Sequence, residues 1–475
     1  MNVRVAVMLS VLFCIPLAAA QQNPSDNPLT PNVPGIGEGE NLPNAPAEAS
    51  AQTSPNPQPV PSQNPSAAIP KITLSIKDAE AIALKNNPAI SVARLSALAA
   101  QQVTRESRSS LWPTAYADVT GVDARADSRI TAGGLNNPII YDRAAAGATV
   151  SQLITDFGHT TNLVASARLQ AKAENQNALA TKEDILLAVD QAFYNTLQSR
   201  AVLKVAEQTV ASRQLTADQV SALTRSKLKS GLDLSFANVN LAQAKLLLLD
   251  AQNNYKSAEA SLSAVLGYPG LQNFQLVEEK TALVPPPLTP DPLIAEAFAQ
   301  RPEILALGFE AQSAEKYRSA ERDLLFPTIS ALGAFGGAPV RNDALSSWYG
   351  AAGINVQIPV FNGFLYSAKA HEADLRAQAV QERLLDLRNR ISRDVRTSWL
   401  NATTAYQRVD VSQQLLNEAN QALSLADTRY RLGLSSIVEL SQAQLQQTQA
   451  EIGSVAASYD YRLALSVLRY QTTGL

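Results

Sequence analysis

TTNLVASARLQAKAENQNALATKEDILLAVDQAFYNTLQSRAVLKVAEQTVASRQLTADQVSALT, the stretch from Thr160 to Thr224, contains neither glycine nor proline and is dominated by Ala, Gln, Leu and Lys. These residues favour helix, and nothing in the run interrupts a backbone hydrogen-bond ladder. At about 1.5 Å per residue the stretch predicts one continuous helix of ~100 Å. Along it Val189, Leu203, Val210 and Ala217 fall on one seven-residue track, with Leu179, Leu186 and Phe193 on a second. A later series, Val380, Leu384, Leu387, Ile391, Val395, Trp399, Ala402, Tyr406 and Val409, steps by three or four. Such spacing buries a narrow seam, as in a coiled coil.

The two series belong to a duplication. Asn87-Pro88 matches Arg301-Pro302, and Leu111-Trp112-Pro113 matches Leu325-Phe326-Pro327 at the same offset. Gln152-Leu153 with Phe157-Gly158 resembles Gln357-Ile358 with Asn362-Gly363. Asp233-Leu234 and Ala237 match Glu439-Leu440 and Ala443. Repetition at a fixed spacing marks repeated structural units. The first copy is placed at 71–284 and the second at 293–475. Between them Pro285-Pro286-Pro287-Leu288-Thr289-Pro290-Asp291-Pro292 is a stiff extended linker over 285–292. Each copy reads as a helix (about 76 to 110, and about 292 to 323), two short strands around a polar loop, a very long helix, a tight turn and another long helix. A proline ends the first helix, because the residue before proline avoids the α region.

Ahead of the copies lie two other zones. Residues 1–20 read as a secretory signal: Arg4, an apolar core from Val5 to Leu17, and small residues Ala18-Ala19-Ala20 before Gln21. The one cysteine, Cys14, falls inside it. A lipidation role is disfavoured by Phe13, which stands where a small residue is expected, so no disulfide or thiolate site is expected in the secreted chain. Residues 21–70 are rich in Pro, Asn, Gln and Ser, with too little apolar surface to offset ordering, and read as a disordered tail. The net charge of −3 carries no basic surplus, which argues against nucleic acid as a partner. No later apolar run reaches the roughly 18 residues of a membrane-spanning helix; the longest bursts, such as Leu246-Leu247-Leu248-Leu249, fall far below it.

A β-barrel escapes that test. Ile354, Val356 and Ile358 alternate with Gly353, Asn355 and Gln357, as a wall between lipid and water requires. Strands are also expected near Thr114–Asp123, Ala144–Leu153 and after Pro327, with Tyr116 and Tyr141 as girdle candidates, although the first two alternate poorly. Four strands cannot close a barrel, so lipid-facing strands require several chains to combine.

The order of parts, the Asn-Pro and Arg-Pro helix starts, the Leu-Trp-Pro and Leu-Phe-Pro breaks, and Tyr430-Arg431-Leu432-Gly433-Leu434-Ser435-Ser436-Ile437-Val438-Glu439 resemble the TolC outer membrane factor family, from about Leu74 to Leu475. The resemblance implies a fold that is mainly α with a small transmembrane β part. Its long α-helical hairpins would form an α-barrel, and its four strands would contribute to a trimeric 12-stranded β-barrel in the outer membrane. It implies a homotrimer docking with an inner-membrane transporter through a periplasmic adaptor protein, and a passive exit duct for efflux or export without cofactor. Lys227 stands where the second copy has the turn glycine Gly433, and Gln442 where some members carry a second acid.

The tips of the long hairpins draw the site candidates: Asp233, Tyr430, Arg431, Gly433, Glu439 and Gln442. Asp233 and Glu439 hold equivalent places and are surrounded by Arg225, Lys227, Lys229, Arg429 and Arg431. One reading is a latch in which Tyr430, Arg431 and Glu439 hold the tunnel shut; the other is helix capping by an acid in the first turn. No catalytic constellation is found, and His159 and His371 read as surface histidines rather than a metal pair. A periplasmic adaptor and a structural coiled coil are the rival readings. Gly-rich β halves around one hairpin would mark the first, uninterrupted heptads the second.

Overall fold

The computed structural model describes residues 72–122, 131–132, 135–136, 143–278, 282–338 and 346–473. The signal read at 1–20 and the tail at 21–70 lie outside these residues.

The first copy runs β1 (Ile72–Leu74), α1 (Ile76–Asn86), α2 (Pro88–Ser109), β2 (Thr114–Val122), β3 (Thr131–Ala132), β4 (Leu135–Asn136), β5 (Arg143–Thr155), α3 (His159–Arg225), α4 (Gly231–Val265) and β6 (Phe274–Leu276). The second runs α5 (Asp291–Gln300), α6 (Pro302–Asp323), β7 (Thr328–Gly337), β8 (Trp348–Gln357), α7 (Leu365–Arg431) and α8 (Ile437–Thr472). The copies agree in element length: α3 and α7 each have 67 residues, and α2 and α6 each have 22. The Gly- and Pro-free stretch forms α3 without a break, as its composition predicts.

The opening helix of each copy is two helices rather than the one expected. Asn87 and Arg301 are extended, with ψ of 122° and 125°, because each precedes a proline. Pro88 and Pro302 then start the next helix, where a missing N–H costs nothing. Asn87 caps α2 by accepting from the Ala89 N–H, and its amide donates to the Val265 carbonyl, fastening the break to the end of α4.

Each long helix lies against its hairpin partner, α3 on α4 and α7 on α8; α3 also packs on α2, α6 and α8, and α7 on α6. The heptad tracks bury Leu186, Val189, Phe193 and Ala217 on α3, and Ile391, Val395 and Ala402 on α7. Leu179, on the same track, remains exposed. At mid-length a core of Leu74, Ala79, Ala83, Val189, Phe193, Leu262, Leu266 and Phe274 joins α1 to α3 and α4. The parallel bridge of β1 with β6 closes over it, an element the sequence reading missed. The 282–290 linker is strapped down: Trp399 Nε1 donates to the Pro287 carbonyl at 2.7 Å, and the Tyr461 hydroxyl donates to the Val284 carbonyl.

At one end the chain forms a four-stranded antiparallel sheet in the order β2-β5-β7-β8. Strands of the two copies meet at the β5–β7 pairing, with a bulge between Leu153 and Thr155. At the other end lie the α3–α4 and α7–α8 turns.

Candidate functional site

The sheet explains the weak alternation of its first strands. Directly paired residues share a face in an antiparallel ladder. From the register, one face carries Ala115, Ala117, Val119 and Gly121 of β2, and Ala144, Ala146, Ala148 and Val150 of β5. It continues through Ile329, Ala331, Gly333, Phe335 and Gly337 of β7, and Trp348, Gly350, Ala352, Ile354 and Val356 of β8. All of these side chains are apolar. Val119, Phe335, Trp348 and Ile354 stand largely exposed on the single chain. The opposite face carries Tyr116, Asp118, Thr120, Thr149, Ser151, Ser330, Asn355 and Gln357. Gln152 departs from the pattern beside the bulge, where its amide donates to the Leu111 carbonyl at 3.1 Å. Strands of 9, 13, 10 and 10 residues are long enough to cross hydrocarbon, which takes roughly 9–11 tilted residues. Among the described residues no helix is long and apolar enough to do so.

The tips repeat one device twice. After α3, the Leu228 N–H donates to the Leu223 carbonyl and Lys227 sits at φ 58°; after α7, the Leu434 N–H donates to the Arg429 carbonyl and Gly433 sits at φ 74°. Both are left-handed helix terminations, a conformation in which glycine is unstrained and lysine is not. Lys227 therefore keeps the backbone of Gly433 at some cost. Ser230 and Ser436 cap the following helices by accepting from the N–H groups of Asp233 and Glu439. The equivalence of the two acids is thus real, but their charges go to different partners. The Asp233 carboxylate turns back to the Ser230 N–H at 3.0 Å and completes a capping box. The Glu439 carboxylate reaches across its turn to Arg429, 3.2 Å from Nε.

Tyr430, Arg431 and Glu439 are not brought together. Arg431 pairs with Asp427 one turn back on its own helix, at 2.9 Å. Tyr430 of α7 is 6% exposed and clusters with Ala217, Val220, Ala237, Leu241, Ile437 and Leu440, from the other three long helices. Its hydroxyl is buried without a hydrogen-bond partner within the chain. Burial, then the nearby Asp233 charge, push its pKa up. Lys229 of the other tip places Nζ 4.0 Å from the Tyr430 ring centroid, a cation–π contact between the two hairpins. Gly433 and Gln442 are exposed.

Behind the tips the hairpins are stapled by residues the sequence reading did not single out. Arg213 of α3 is buried and donates to the Gln444 carbonyl at 2.7 Å and the Thr448 hydroxyl at 3.0 Å on α8; burial lowers its pKa to about 10. Asn240 donates to the Ser441 hydroxyl at 2.7 Å. His159 lies at the start of α3, where Nδ1 donates to the Ala320 carbonyl, and His371 is exposed on α7.

Comparison with known proteins places this geometry. A family model described as "Outer membrane efflux protein" matches residues 81–268 and 293–472, one segment in each copy. The outer membrane efflux protein BepC of Brucella suis is 23% identical, over 67% of this chain and 69% of its own length. The outer membrane protein OprJ of Pseudomonas aeruginosa is 23% identical, with 81% of each chain covered. The crystal structure of the Campylobacter jejuni CmeC outer membrane channel superposes with a TM-score of 0.73 over 84% of this chain and 85% of that one, at 17% identity. With both copies matched by one family model, the chain belongs to the outer membrane efflux protein family and is an outer-membrane exit duct.

Proposed function

We propose that three copies form the duct, each contributing its four strands to one barrel and its long hairpins to a periplasmic tunnel. The observation that carries this is the apolar face, broken only by Gln152 beside the bulge among the described paired residues, on a sheet whose outer edges, at β2 and β8, are unpaired. In hydrocarbon each unpaired backbone group costs several kcal/mol, so the edges must be closed by other copies. Two copies would make a barrel of about eight strands, filled by its own side chains; three make about twelve, with room for an aqueous lumen. The helices support the same reading. Leu246 and Leu249 on α4 and Val411, Leu415 and Leu425 on α7 are all more than half exposed in one chain and would be covered by neighbouring copies.

The chain carries no nucleotide-binding loop, so transport energy would come from an inner-membrane transporter, coupled through a periplasmic adaptor at the tips. Asp233, Arg431, Gly433, Glu439 and Gln442 ring that end, and the exposed Arg429–Glu439 pair is its charged latch. Such a pair is worth about 0–1 kcal/mol, so a docking partner that competes for either charge would shift the gate readily. Tyr430 serves instead as the internal anchor between hairpins. Native mass spectrometry of the detergent-purified protein tests the stoichiometry. Three copies is the expected mass; a monomer or dimer overturns the barrel.

A further inference from the structure

We propose that Glu80 and Asp190 bind one proton between them, making the contact of α1 with α3 a proton-dependent clamp at mid-tunnel. Asp190 is 3% exposed on α3, and its Oδ1 has no hydrogen-bond donor. Glu80, a half-buried residue of α1, lines the same cavity as Asp190 and lies close enough to feel its charge. Two ionised carboxylates only accept, so a hydrogen bond between them requires a proton on one of them. A proton on Glu80 supplies the missing donor. Ser466 and Arg469 of α8 favour the charged form of Asp190, which leaves Glu80 as the acid.

The repeat shows that this slot does not need acids. Counted from the proline breaks at Asn87 and Arg301, the counterpart of Glu80 is Ile294; counted from the starts of α3 and α7, the counterpart of Asp190 is Arg396. In the second copy Ile294 packs with Ile391 and Val395 in an apolar cluster. The first copy places two carboxyls, beside a cavity of about 490 Å³, where the second has an isoleucine and an exposed arginine. The other titratable groups lining it are Lys77 of α1, Tyr194 of α3, and Tyr461, Arg462 and Arg469 of α8; the 282–284 strap adds no charge.

Both carboxyls are shifted upward, chiefly by burial and, for Glu80, by the Asp190 charge. The folded chain then binds more protons than the unfolded chain above the ordinary carboxylate range near pH 4. The clamp is therefore strongest in acid and weakens as pH rises through that window.

Two measurements on the intact protein test this. Infrared titration should reveal a protonated side-chain carboxyl persisting above about pH 5, where free carboxyls have ionised, lost in Glu80→Gln and moved to lower pH in Asp190→Asn. Hydrogen exchange, corrected for intrinsic rates, should show protection of α1 falling by up to tenfold per pH unit across the window. In Glu80→Gln, whose amide donates to Asp190 at every pH, protection should be flat. Absence of the carboxyl band above pH 5, or an identical pH slope in wild type and Glu80→Gln, overturns the proposal. The wild-type titration decides the matter even if a variant fails to fold.

Discussion

Tyr430 is where the two hairpins of one chain meet at the tip. Its ring fills a pocket built from α3, α4, α7 and α8 and receives Lys229, while its hydroxyl bonds to nothing. Tyr430→Phe removes an unsatisfied polar atom and should leave the melting temperature unchanged or slightly raised. Tyr430→Ala should cost about 3–5 kcal/mol locally and loosen amide protection at both tips, read by hydrogen exchange. An equal loss in both variants would mean that the hydroxyl has a partner. The sequence pointed to this residue as part of a latch, and within one chain its ring packs between the hairpins. Its neighbours in the chain, Arg429 and Arg431, lie on different sides of a helix, and only the turn geometry decides that Arg429 meets Glu439. The Glu80–Asp190 pair was illegible for a simpler reason: the partners are far apart in sequence, and no spacing rule links them.

Among the elements, the helices were the most legible because their signal is long. Freedom from Gly and Pro across Thr160–Thr224 and a repeated apolar step leave one conformation. The breaks at Asn87 and Arg301 were visible as prolines, yet each helix pair read as a single helix, because Pro at the first helical position both ends one helix and starts the next. The strands were the least legible. Their lipid face is built largely from Ala and Gly, and their opposite face includes Ala and Leu, so alternation emerges only when four registered strands are read together. The small residues also have a packing reason. Tyr349 on β8 lies over Gly336 of β7, and a Cβ at Gly336 would stand 2.6 Å from the Ala146 carbonyl oxygen and 2.7 Å from the Tyr349 hydroxyl. Gly336→Ala should force β5 and β7 apart and lower the yield of assembled protein on unheated gels several-fold. Assembly at wild-type yield would contradict the close approach of these strands.

For the whole molecule, one duplicated unit supplies both membrane wall and tunnel. The two tips share their backbone, as Lys227 and Gly433 show, but divide their charges: Asp233 caps a helix while Glu439 pairs with Arg429. At mid-length they divide again, with Glu80 in one copy and Ile294 in the other. A single chain leaves two open strand edges and rows of exposed leucine, which the proposed three copies would cover. The measurement that tests this most directly is planar-bilayer conductance of the purified protein, wild type beside Arg429→Ala and Glu439→Ala. The account predicts small, mostly closed events for the wild type and a larger open fraction in both variants, with a shift of up to about fivefold, as expected for losing a pair worth about 1 kcal/mol. Protein that inserts no conducting species, or variants whose open fraction equals that of the wild type, would contradict a charge-latched duct.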